Sequence, residues 1–80
     1  MDHIFVSALP FKINEDQLRR LFEPYGNVKS IEIFADWENA RSEPYAHILM
    51  DNGKEAIACL DGKQIGSTYL RVNQLIKLEQ

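Results

Sequence analysis

Two short runs constrain this chain more than anything else in it: Ile4-Phe5-Val6-Ser7-Ala8-Leu9 near the N-terminus and Glu43-Pro44-Tyr45-Ala46-His47-Ile48-Leu49-Met50 past the middle. Both are rich in branched and aromatic residues, and in a strand successive side chains point to opposite faces of the sheet. One face of each run is therefore apolar core. The alternation turns Ile4 and Val6 inward with Phe5 and Ser7 outward, and Ala46, Ile48 and Met50 inward with Tyr45, His47 and Leu49 outward. If the two strands are neighbours, Phe5, Tyr45 and His47 form a flat, ring-bearing platform, and unpaired bases stack on such platforms.

The first strand (about His3 to Ala8) ends before Pro10, which has no N–H to give to a ladder. Asn14 then caps a helix, Gln17 three residues later completes a capping box, and Ile13 with Leu18 supplies a hydrophobic staple. Leu18, Leu21, Phe22 and Tyr25 make its apolar stripe, with Gly26 expected in the left-handed cap position. A second strand covers about Val28 to Ala35, with Ile31, Ile33 and Ala35 on one face and Glu32 and Phe34 on the other, so that Phe34 extends the aromatic surface. The polar segment Asp36 to Ser42 reads as a hairpin loop of about seven residues. Its Trp37 either clamps a base from above or folds over the edge of the sheet, and Arg41 is its basic residue. After the third strand, Asn52 and Glu55 are expected to form a second capping box at the head of a helix with Ala56, Ile57 and Leu60 as its stripe, stopping at Asp61-Gly62. Gln64-Ile65-Gly66 reads as a short extra strand. Tyr69 to Gln74 is the last strand, with Leu70 and Val72 inward and Arg71 and Asn73 outward.

Strand, helix, strand, strand, helix, strand is the order of a split βαβ arrangement. The expected fold is α+β, a ferredoxin-like βαββαβ sandwich: a four-stranded antiparallel sheet with two helices on one face and with strands one and three as central neighbours. Eighty residues make one such domain (1–80, with a core of about 3–74 and a tail of 75–80), and no internal repeat or linker divides them.

These elements resemble the RNA recognition motif family over nearly the whole chain. The family octamer runs Lys/Arg, Gly, Phe/Tyr, Gly/Ala, Phe, Val, any residue, Phe/Tyr. The second run keeps its ring at Tyr45, its small residue at Ala46 and its branched residue at Ile48, and departs from it at Glu43, Pro44, His47 and Met50. Ile4 to Pro10 looks like the family's first strand, ring included. The resemblance implies binding of single-stranded RNA, with single-stranded DNA as an alternative ligand. Phe5 and Tyr45 each stack a base, His47 stands where the family has a second ring, Ser7, Phe34 and Trp37 belong to the same surface, and Arg71 and Asn73 read base edges. A chain of one such domain is similar to the small bacterial members of the family. It further implies a monomer with a post-transcriptional role in the cytoplasm.

Charge sets a limit on that expectation. Twelve acidic against nine basic residues leave a net charge of −3, and phosphate contacts supply most sequence-independent affinity, so binding is expected to be local and modest. Glu43 replaces the family's basic residue, and Glu32 adds a negative charge on the outward face. That deficit motivates a second reading from a different class: a protein–protein interaction module on the same fold, whose partner presents a basic or apolar surface. An enzyme is not expected. There is no phosphate-cradling glycine loop, no serine or cysteine lies beside a base, and neither a cofactor nor a metal is implied. His3 and His47 can both face outward, but without cysteine or carboxylate at metal-ligand spacing they read as solvated or stacking residues rather than half a metal site. No run approaches the roughly 18 apolar residues of a membrane helix, the N-terminus does not read as a secretion signal, and one cysteine cannot form an internal disulfide, so a reducing, cytosolic setting is expected. Cys59, in a helical apolar pattern, reads as a small buried hydrophobe.

Overall fold

The computed structural model describes residues 1–38 and 44–75. Arg41, Glu43 and tail residues 76–80, on which expectations were placed, lie outside the described residues. In chain order the elements are β1 (Asp2–Ser7), α1 (Glu15–Phe22) running into a 3-10 turn (Glu23–Tyr25), β2 (Val28–Phe34), β3 (Tyr45–Met50), α2 (Gly53–Leu60), a two-stranded ribbon of β4 (Gln64–Ile65) and β5 (Thr68–Tyr69), and β6 (Arg71–Gln74). The main sheet is antiparallel with order β2-β3-β1-β6, so the two alternating runs are its central neighbours.

Alternation fixes which residues fill the core. From the strands Ile4, Val6, Ala46, Ile48, Met50 and Val72 are wholly excluded from solvent, and Leu18 and Phe22 of α1 and Ala56 and Leu60 of α2 join the same cluster. Both helices thus cover one face of the sheet and leave the other open. Each of the larger of these side chains contributes roughly 1.5–3 kcal/mol by leaving water, which a small domain needs from nearly every inward position. Leu21, expected in the stripe, is only half-buried; Leu18 and Phe22, four residues apart, are the pair that faces the sheet.

The two helices start in different ways. At α1 the expected capping box is present: the Asn14 side chain accepts from the Gln17 amide at 2.9 Å and the Gln17 side chain accepts from the Asn14 amide at 3.0 Å. At α2 the expected box is absent. Asn52 turns the corner in the left-handed region (φ 58°), which its short polar side chain tolerates, and its side chain makes no cap. The acceptor comes instead from Asp2 at the head of β1, whose Oδ2 takes the Gly53 amide at 2.9 Å. Gly53 must be glycine here, because a Cβ would lie 2.6 Å from that of Asp2.

Other differences have local causes. Pro24 has no amide to continue the α-helical ladder, and α1 gives way to the 3-10 turn. Gly26 is extended (φ 170°), not left-handed. Its need for glycine is steric, since a Cβ would collide with the Asp51 carbonyl. A register shift between Val28 and Ser30 puts Val28 and Ile31 both inward although they are three residues apart. β2 ends at Phe34, which leaves Ala35 exposed instead of inward. Tyr69 pairs back in the ribbon, so the last strand begins at Arg71. Cys59 is exposed, not buried, because the inward stripe of α2 runs through Gly53, Ala56 and Leu60 and passes it by.

Candidate nucleic-acid interface

On the open face the register aligns outward side chains in rungs that cross all four strands. One rung is Glu32, His47, Phe5, Asn73; the next is Phe34, Tyr45, Ser7, Arg71. Seven of the eight residues expected at the site therefore occupy two adjacent rungs. The eighth, Trp37, lies elsewhere: it is half-buried against the core and meets Phe11 edge-on, with centroids 5.5 Å apart and rings at 80°.

Aromatic contacts tie the rungs together. Phe34 and Tyr45 are stacked with centroids 5.0 Å apart at 21°, and Tyr45 and Phe5 are 5.3 Å apart at 33°. At those separations and small tilts the rings overlap like tiles instead of covering one another, and Phe34 and Tyr45 remain 42% and 39% exposed. The row thus crosses β2, β3 and β1 as one shallow aromatic surface. A planar heterocycle can extend such a row without displacing any side chain from the core.

Polar groups lie at both ends of it. Arg71 is exposed and lines an open depression of about 380 Å³ together with Ser7, Ala8 and Pro44, where a guanidinium meets base edges or phosphate in a planar fork. Asn73 is exposed beside Phe5 and offers both a donor and an acceptor. Glu32, exposed across from His47, is the negative group on the β2 side.

His47 has a neighbour that the sequence placed on the right face but not in contact. His3 occupies the third rung, opposite Leu49, and its Nδ1 lies 3.1 Å from His47 Nε2, with ring centroids 5.2 Å apart. The signal was available in the parity of His3 with Phe5. What parity cannot supply is the diagonal reach between two rungs. Among the described residues no group of three or more His, Cys, Asp or Glu is placed to hold a metal ion, and none of the helices is long and apolar enough to cross a membrane.

Comparison with known proteins agrees with this fold. The family model described as RNA recognition motif matches residues 4–71. A 33 kDa chloroplastic ribonucleoprotein of Nicotiana sylvestris is 36% identical over 73 residues, 88% of this chain and 22% of that protein. A U2af splicing factor of Triticum aestivum, its large polypeptide, is 37% identical over 76 residues, 91% of this chain and 13% of the relative. The chain thus spans less than a quarter of the length of these relatives. They are plant proteins, and the expected likeness to small bacterial members finds no support in them. Among solved structures the third such domain of Pes4 superposes with a TM-score of 0.86 at 23% identity, covering 100% of this chain and 98% of the other, which bears on fold alone. A Sex-lethal protein/RNA complex matches with a TM-score of 0.77 at 27% identity, covering 92% of this chain and 47% of that one.

Proposed function

Because the chain belongs to the RNA recognition motif family, we propose that its open sheet face binds single-stranded RNA by stacking bases on Phe5 and Tyr45. The observation that carries this reading is the continuous row Phe34, Tyr45, Phe5, partly exposed, with successive rings inclined by 21° and 33°. Base–aromatic stacking is worth about 1–3 kcal/mol per base and tolerates any sequence, so two platform positions give a modest but real affinity. His47 adds a third planar group, and Arg71 and Asn73 at the β6 edge supply hydrogen bonds to base edges splayed out from a single strand. The Sex-lethal complex contains RNA, and the plant relatives are named as a ribonucleoprotein and a splicing factor; those names support an RNA ligand. We read the role as binding without catalysis, post-transcriptional in kind, and the single cysteine suits a reducing compartment such as the cytosol.

Titration with short single-stranded RNA and DNA pools, followed by amide shifts, tests the reading. Shifts centred on Phe5, Tyr45, His47 and Arg71 that weaken as salt rises are the expected result. A stronger response to RNA than to DNA of the same sequence marks use of the 2′-hydroxyl. Silence at these residues with both polymers overturns the proposal and moves the protein-partner reading ahead.

A further inference from the structure

We propose that His3 and His47 together form a bidentate site for a borderline divalent cation of the zinc type on the open sheet face. The two nitrogens, Nδ1 of His3 and Nε2 of His47, face each other at 3.1 Å. Zinc–imidazole bonds are about 2.0–2.1 Å long, so two nitrogens on one ion are separated by about 2.9 Å at a right angle and about 3.4 Å at the tetrahedral angle. The observed spacing falls between these limits and corresponds to an N–metal–N angle of about 100° on the same bond lengths. The pair needs no rearrangement of backbone. Both residues are on the two central strands, whose ladder holds His3 against Leu49 and His47 against Phe5, so the two backbones that carry the imidazoles are fixed in register.

Ligand chemistry selects the ion. Two imidazoles without an oxygen cage suit zinc and its late first-row neighbours and not magnesium or calcium, which require several oxygens. Without the ion, one imidazole N–H donates to the other's lone pair. On binding, that N–H bond breaks, a proton is taken up at the far nitrogen of the same ring, and both facing lone pairs go to the metal, so a neutral pair releases no net proton. Two protein ligands leave the remaining coordination positions to water or to a ligand on the open face, where His3 is exposed and His47 half-buried. That location carries a consequence which rests on the RNA-binding reading. The rung of His47 contributes Glu32 and no lysine or arginine, and a bound dication supplies there the positive charge that a nucleic acid requires.

The test titrates zinc chloride into the untagged chain, without RNA, and follows backbone amide and imidazole resonances. Saturable one-to-one binding centred on His3, Phe5 and His47 is expected, weaker by about tenfold or more in both His3→Ala and His47→Ala because each removes one of two ligands. Cys59→Ser, which removes the exposed thiol on α2, leaves it unchanged. Absence of saturation overturns the site, as does binding that survives either histidine substitution. A parallel RNA titration in excess chelator separates the two proposals. RNA binding in chelator beside a flat zinc titration removes the metal site only, whereas zinc binding with no RNA response in either condition removes the RNA reading and leaves the site standing.

Discussion

The two faces of the sheet are made from the same four strands, yet they obey different rules. The inner face is aliphatic and excluded from water, with Ile4, Val6, Ile48 and Val72 at zero exposure. The outer face is aromatic and polar and keeps its rings in water, with Phe34 and Tyr45 near two-fifths exposed. Branched aliphatic side chains interlock at the density of an organic crystal, and a missing methylene is felt at once. Rings lying side by side need only each other and a flat base. Stability and recognition are thereby separated by residue parity: moving one position along β1 or β3 changes what a substitution damages.

The separation is broken most easily from inside. Ile48→Ala or Leu18→Ala should cost about 2–5 kcal/mol of folding stability, measured as a shift in the urea midpoint without a change in slope. A melt that does not move contradicts the division outright. Next in size, Phe5→Ala and Tyr45→Ala should each weaken RNA binding by about 1–3 kcal/mol while stability stays within about 0.5 kcal/mol of the parent. If either unfolds the domain, the outer row is structural and the contrast fails. Asp2→Ala sharpens the comparison at the margin of the sheet: it removes the cap on α2 and should cost about 0.5–2 kcal/mol of stability, with RNA affinity per folded molecule unchanged. The smallest effect belongs to Glu32→Lys, which exchanges a repelling for an attracting charge on the outer face. Affinity should rise by about 1 kcal/mol or less, as exposed charges do, and the dependence of log affinity on log salt should steepen by about 0.7 if the new lysine meets a phosphate.

Much of this is legible in the sequence because alternation is a local code. Phe5, Tyr45, His47, Arg71 and Asn73 all follow from counting in twos, and the register needed only to bring their strands side by side. Asn14 and Gln17 were equally legible, since donor and acceptor are three residues apart. The same spacing at Asn52 and Glu55 misled, because the decisive acceptor was Asp2, which no local pattern could nominate. Gly26 was read from its place after a helix, whereas its constraint is the carbonyl of Asp51. Trp37 had two open readings in sequence, and its edge contact with Phe11 depends on how the turn after β1 approaches the end of β2. The His3–His47 contact is of the same kind: both side chains were placed on the outer face, and their meeting is a property of the diagonal.

The bond from Asp2 to Gly53 also ties the start of α2 to the sheet. The start of α1 is secured by a partner three residues away and can flicker into existence in the unfolded chain, but the first amide of α2 waits for a carboxylate fifty-one residues upstream. A helix nucleus is costly without its cap, and closing so long a loop comes only with docking of β1. The cap of α2 therefore exists only with β1 in place. In the native protein the Gly53 amide should lose its protection from solvent deuterium in Asp2→Ala, while the Gln17 amide, held by a partner three residues away, should exchange as in the parent.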